Sequence, residues 1–157
     1  LGRALGMEVI AWTFNPSPER GLALGVRFVA TLDQLLAQAD YVSLHVALTD
    51  DTRGLIGAKQ LATMKEDAVL LNGARGDVVD LDALATALER GQLAGAGLDV
   101  FPDEPFVAEH PIQNCEQVVM TPHAADQTPE GVDLLNGGAV DNLIAFLEGR
   151  PQNNVAR

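Results

Sequence analysis

Short apolar runs rich in β-branched residues alternate with amphipathic runs of helical period along the whole chain. MEVIAW (7–12), VRFVA (26–30), YVSLHV (41–46), AVLLN (68–72), LAGAGLDVF (93–101) and QVVMTP (117–122) have strand character. TLDQLLAQAD (31–40), AKQLATMK (58–65), DALATALERG (82–91) and TPEGVDLLNGGAVDNLIAFLEG (128–149) place their apolar residues at helical spacing. Strands that alternate with helices build an α/β fold with a parallel sheet, because each crossover helix must bury its apolar stripe against the sheet. Local signals support the boundaries. Thr31 with Gln34 has capping-box spacing, Asp80 stands where an N-cap belongs, Gly91 closes its helix, and Leu1 to Gly6 reads as a helix tail ended by glycine. AVLLN is apolar on both faces, as in a strand covered on both sides.

The 157 residues suit one domain with a real core, and 47% of them are apolar. No apolar run approaches the roughly 18 residues of a membrane span, so no membrane association is expected. Net charge is −12 and Lys59 and Lys65 are the only lysines, which argues against nucleic acid, since phosphate neutralisation needs clustered cations. The single cysteine, Cys115, excludes an internal disulfide and a multi-cysteine metal site, and its expected role is packing. Three histidines in unrelated contexts give no metal site either. The cysteine usage suits a reducing cytoplasm.

Three segments run from an apolar stretch into a charged residue: LNGARGDVVD (71–80), GAGLDVFPDEP (95–105) and VMTPHAAD (119–126). In an open α/β sheet the ligand crevice lies outside the carboxyl ends of the strands, so Arg75, Glu104 and His123 are placed to converge on one substrate. Taken singly, each has a bland reading: an arginine between glycines pairing with a surface carboxylate, or a glutamate in a solvated turn. The ordered set LGMEVIAW, SLH, LLNGARGDVVD, GAGLDVF.DEP and TPHAADQT resembles the D-isomer-specific 2-hydroxyacid dehydrogenases over essentially the whole chain. The resemblance implies a Rossmann-like doubly wound parallel sheet, incomplete at its N-terminus. The family's glycine fingerprint GxGxxG and its substrate domain are not found here. It also implies a nucleotide-binding domain over residues 1–127 and a helix over 128–157 that returns toward the substrate domain.

The implied activity is hydride transfer between NAD(P)H and a small 2-keto acid, of the glyoxylate/hydroxypyruvate reductase kind. Arg75 would hold the substrate carboxylate in a bidentate fork and polarise the keto oxygen. His123 would deliver or accept the proton, and Glu104 would fix its tautomer. Glu104 also argues against a formate dehydrogenase, whose corresponding position resembles glutamine. On the cofactor side, the resemblance points to Asp99 near the carboxamide of the nicotinamide and to the backbone of Asn72, Gly73 and Ala74, with Gly73 and Gly76 permitting tight turns. His45 lies where the cofactor passes, with a structurally satisfied histidine as the competing reading; His110, in EHPIQN, is expected in an exposed loop. The first strand ends Trp12-Thr13-Phe14-Asn15 without the acid that usually binds the adenine ribose of NAD. Thr13 or Asn15 could bond the ribose, so NAD is expected with NADP open, and Arg20 is the nearest cation. An unpaired MEVIAW edge would favour association, and the family is usually dimeric, so a homodimer is expected. The competing readings are a nucleotide-sensing or corepressor-like interaction module of the same fold, and a 157-residue chain that is inert without the glycine loop and substrate domain.

Overall fold

A computed structural model of the chain describes residues 1–106, 109–125 and 127–154. Asp126, the last residue of the third segment, and residues 155–157 of the tail lie outside the described residues. The chain divides into two compact units, Leu1–His123 and a second that begins at Ala124.

The first unit is α/β. In chain order it runs β1 (Ile10–Ala11), α1 (Pro18–Leu24), β2 (Arg27–Phe28), α2 (Leu32–Gln38), β3 (Tyr41–Leu44), α3 (Ala58–Leu61), β4 (Val69–Asn72), α4 (Leu81–Glu89), β5 (Gly95–Leu98) and β6 (Val118–Met120). Strands β3, β4, β5 and β6 form one parallel sheet in that order, while β1 and β2 form a separate parallel pair. The MEVIAW run therefore contributes two paired residues where six have strand character, because β1 has a ladder partner on one side only.

Burial alternates along β3 and β4: Val42, Leu44, Leu70 and Asn72 face inward. Leu36 of α2, Leu61 of α3, and Leu84 and Leu88 of α4 pack with them in one apolar core. One face of β4 is covered and the other is not, contrary to its apolar composition: Leu71 is 38% exposed, and Val119 on β6 is 69% exposed. The three helices contribute to the core on one side, and the pleat turns alternate residues to the other. Cys115 is buried in the same core, and burial pushes its thiol pKa up.

Caps set the helix starts. Thr31 and Asp80 accept backbone N–H bonds from Gln34 and Ala83, as their positions predict. Gln34 returns its side-chain bond to the N–H of Ala30, one residue before the position a capping box would use. Helix α1 escapes the hydrophobic pattern; Ser17 at its N-cap, Pro18 at N1 and Glu19 in its first turn carry the signal instead. The second unit contains α5 (Pro129–Leu147), capped by Thr128. No helix of the described residues is long and apolar enough to cross a membrane.

Asp80→Ala in the full-length protein should cost about 1 kcal/mol by leaving the Ala83 N–H without its side-chain acceptor. A urea unfolding series reads this as a lower midpoint at unchanged slope, and Asp80→Asn should recover most of it.

Candidate active site

Register builds the site. Leu44 lies opposite Asn72, Asn72 opposite Leu98, and Leu98 opposite Met120, so four parallel strands end level with one another. The ladder runs one step further, with Asp99 N–H donating to the Asn72 carbonyl at 3.0 Å and Thr121 N–H to the Leu98 carbonyl at 2.9 Å. His45, Gly73, Asp99 and Thr121 are thus the first residues past the strand ends. A hollow of about 210 Å³ opens there, lined chiefly by Leu71, Gly73, Gly97, Asp99, Val119 and Thr121.

Asn72 is 2% exposed and spends its amide on the loop that follows: its Oδ1 accepts the Ala74 N–H at 3.1 Å, and its Nδ2 donates to the Arg75 carbonyl at 3.0 Å. Both ends of a buried amide are satisfied, which fixes the turn that presents Arg75. The Arg75 side chain is exposed and donates through Nη1 to the Ala74 carbonyl at 2.6 Å. At Gly73 a Cβ would meet open space, so its backbone faces a free approach. Gly76 serves differently from the expected turn: its φ is not positive, and the cause of its smallness is crowding by the Phe101–Pro102 backbone.

Glu104 and His123 form a pair. His123 Nδ1 lies 2.7 Å from Glu104 Oε2, and Glu104 Oε1 accepts the Phe101 N–H at 2.9 Å. An ionised carboxylate only accepts, so Nδ1 carries the proton and Nε2 is left as the nitrogen available to a ligand. His123 sits in the left-handed region at φ 54°, which costs a non-glycine residue roughly 1–2 kcal/mol. Strain of this kind makes His123 a candidate functional position. The charge of Arg75 acts on both members of the pair, and that of Asp99 acts on His123. Arg75, Glu104, His123 and Asp99 are therefore one electrostatic cluster.

The remaining sequence candidates are distributed. Asp99 is half-buried, and its Oδ1 accepts the Thr121 hydroxyl at 2.5 Å, a partner that sequence patterning did not single out. His45 is exposed, and its Nε2 lies 2.9 Å from Ser43 Oγ. Thr13 and Asn15 lie past the end of β1, on the other sheet; Thr13 Oγ1 is 3.4 Å from the Asn15 N–H. Arg20 Nη2 donates to the Asn15 carbonyl at 3.3 Å, which brings a cation to that strand end.

His110 departs from its expected place in an exposed loop. Its side chain is 18% exposed, its Nδ1 accepts the Ile112 N–H at 3.1 Å, and its Nε2 lies 3.2 Å from Asp82. It caps the 3-10 turn Pro111–Asn114, and Gln113 completes the box by accepting the His110 N–H. A histidine followed by proline and, three residues on, glutamine was the legible signal. Among the described residues no group of three or more His, Cys, Asp and Glu is placed to hold a metal ion.

Residues 1–125 match the family model for the D-isomer specific 2-hydroxyacid dehydrogenase, NAD binding domain. The chain is 41% identical to a glyoxylate reductase of Aeropyrum pernix over all of its own length and 47% of that protein's. It is also 41% identical to a glycerate dehydrogenase of Methylorubrum extorquens, over 97% of this chain and 46% of that one. The chain thus spans about half the length of the curated relatives it matches. The NAD-complexed D-isomer specific 2-hydroxyacid dehydrogenase of Lactobacillus delbrueckii ssp. bulgaricus superimposes with a TM-score of 0.86 at 33% identity, covering 98% of this chain and 50% of that chain.

The pair gives a defined pH response. The hydrogen bond to Glu104 raises the His123 pKa above the ordinary 6.5, and the same bond, with that from Phe101, lowers Glu104 below 4.5. Stabilisation through His123 is complete below 6.5 and is lost as pH rises through its raised value. Stabilisation through Glu104 is complete above 4.5 and is lost as pH falls through its lowered value. Both are complete between 4.5 and 6.5. NMR titration of the full-length protein should place the His123 midpoint above 6.5, and Glu104→Gln should move it down.

Proposed function

Because the chain belongs to the D-isomer specific 2-hydroxyacid dehydrogenase family, we propose that the full-length protein reduces a small 2-keto acid to its 2-hydroxy acid with a nicotinamide cofactor. Glyoxylate and hydroxypyruvate are the proposed substrates, and the names of the relatives support that class. The observation that carries the reading is the Glu104–His123 pair at 2.7 Å, within the electrostatic reach of Arg75 at the carboxyl ends of the strands. The presence of Arg75, Glu104 and His123 together favours the enzyme over a nucleotide-sensing module of the same fold.

The hollow past β4, β5 and β6 fits one end of the cofactor. Leu71 and Val119 give it an apolar wall, Gly73 leaves backbone accessible, and Asp99 and Thr121 supply polar atoms for a carboxamide. A nicotinamide held there would supply the hydride. Arg75 binds the substrate carboxylate through its guanidinium fork and orients the carbonyl. His123, protonated and steadied through Nδ1 by Glu104, gives its Nε2 proton to the carbonyl oxygen and takes it back in the oxidative direction. We assign the nucleotide-binding role to residues 1–127 and the return toward a substrate domain to the helix beyond. A homodimer completes the reading, and the lone cysteine, free and buried, suits a reducing cytoplasm.

NAD is the proposed cofactor, with NADP accepted too. No carboxylate ends β1 to repel a ribose phosphate, and Arg20 stands at Asn15 to attract one. Arg20→Ala should lower kcat/KM for NADPH by about 10-fold while leaving NADH within about 2-fold, since a charged hydrogen bond contributes about 1.5–3 kcal/mol.

The decisive assay is NADH oxidation by the full-length protein with a panel of 2-keto acids. Arg75→Ala and His123→Ala should each lower kcat/KM by about 100-fold or more. Wild-type inactivity across the panel, with cofactor bound, would overturn the enzymatic reading in favour of a sensing module.

A further inference from the structure

Gly76 follows Arg75 and is buried, and a Cβ built on it would lie 1.9 Å from the carbonyl carbon of Phe101, 2.3 Å from its oxygen and 2.3 Å from the nitrogen of Pro102. All three are backbone atoms, so no side-chain rotation relieves the clash. The φ of Gly76 is not positive, and an alanine could adopt its conformation. Contact alone therefore demands glycine here.

The peptide that crowds Gly76 belongs to the residue that holds Glu104. Phe101 donates its N–H to Glu104 Oε1 while Glu104 Oε2 holds His123, and the Phe101 ring stacks on Phe106 with centroids 4.4 Å apart. On the opposite side, the Asn72 amide fixes the turn through Ala74 and Arg75 that leads into Gly76. Two loops from different strands meet backbone to backbone one residue from the arginine and three residues from the glutamate.

We propose that Gly76 is a positioning residue: its close approach to the Phe101–Pro102 peptide sets the spacing between Arg75 and the Glu104–His123 pair. The proposal rests on the dehydrogenase reading for its consequence in turnover, but its geometric content is independent of it. A methyl group at this point drives the loops apart by more than roughly 1 Å, because non-bonded carbons settle near 3.5–4.0 Å. The Phe101 N–H then leaves Glu104, Glu104 loses its hold on His123, and a misplacement of about 1 Å is enough to cost on the order of 100-fold in rate.

The test uses Gly76→Ala in the full-length protein with three readouts. NMR should show the His123 midpoint falling toward that of Glu104→Gln; kcat with NADH and glyoxylate should drop about 100-fold; and NADH affinity by fluorescence should stay within about 3-fold. A folded Gly76→Ala protein with the wild-type His123 midpoint overturns the proposal, since Glu104 would then still hold His123 despite the added methyl group. If Gly76→Ala does not fold, Phe106→Ala takes its place: it frees the Phe101 peptide without touching Gly76, and should lower the midpoint in the same direction. An unchanged midpoint there overturns the proposal as well. Because the NMR readout needs no turnover, a wild-type protein inactive on every keto acid would sink the dehydrogenase reading and leave this proposal to be judged on the titration alone.

Discussion

The register of β4 between β3 and β5 is the constraint on which the site depends. Asn72, Leu44 and Leu98 are level, so the loops that follow start from one line at the edge of the sheet. A slip of one residue would turn Leu70 outward and Leu71 inward and would carry Asn72 out of the core, since side chains alternate with period two. Arg75 would then lose the buried amide that shapes its loop. Core burial and site geometry are therefore one choice made by the same strand: Leu70, fully buried, pins the register from which Asn72 acts two residues later.

How far this was legible in the sequence follows from the range of each signal. Helices α2 and α4 have caps and apolar faces encoded within a single turn, and the structure places Thr31 and Asp80 as caps. Strand lengths were overread because pairing, not composition, decides where a ladder stops; β1 and β2 keep two residues each. Helix α1 lay in a stretch with Pro16, Pro18, Gly21 and Gly25, where helix-breaking residues obscure a good cap. His110 looked like a loop residue because its partner Asp82 is far away in sequence. The charged candidates were readable because strand ends in an open α/β sheet are places of known consequence. What tied them together was not readable. The hydroxyl of Thr121 on Asp99, and the backbone of Phe101 against Gly76 and Glu104, are tertiary contacts with no periodic trace.

Local charge also has to be separated from overall charge. A chain at −12 repels anions at long range, yet beyond about 8–10 Å that field is screened at ordinary ionic strength. On the dehydrogenase reading a small anionic substrate is governed by the nearest groups, which at this cluster are Arg75 and His123 against Glu104 and Asp99. The same fall-off explains why Glu104 dominates the histidine. It touches Nδ1 at 2.7 Å and stabilises the protonated ring by a hydrogen bond as well as by charge, whereas Arg75 opposes protonation through charge alone.

On the dehydrogenase reading that opposition, the weakest of the influences on the histidine, responds to what Arg75 binds. Arg75 disfavours a proton on His123 while its own charge is unmatched. A carboxylate seated on the guanidinium cancels much of that charge and removes the opposition, while Glu104 and Asp99 go on favouring the imidazolium. On the dehydrogenase reading, substrate arrival therefore strengthens the protonated form of His123 at the moment its proton is needed for the carbonyl oxygen. The hydroxy acid product keeps the same carboxylate on Arg75, so the loaded state is also the one regained when the product returns its proton. On that same reading the charge of Arg75 also links occupancy of the anion site to the protonation of the histidine, a link that depends on how far apart the two loops are held.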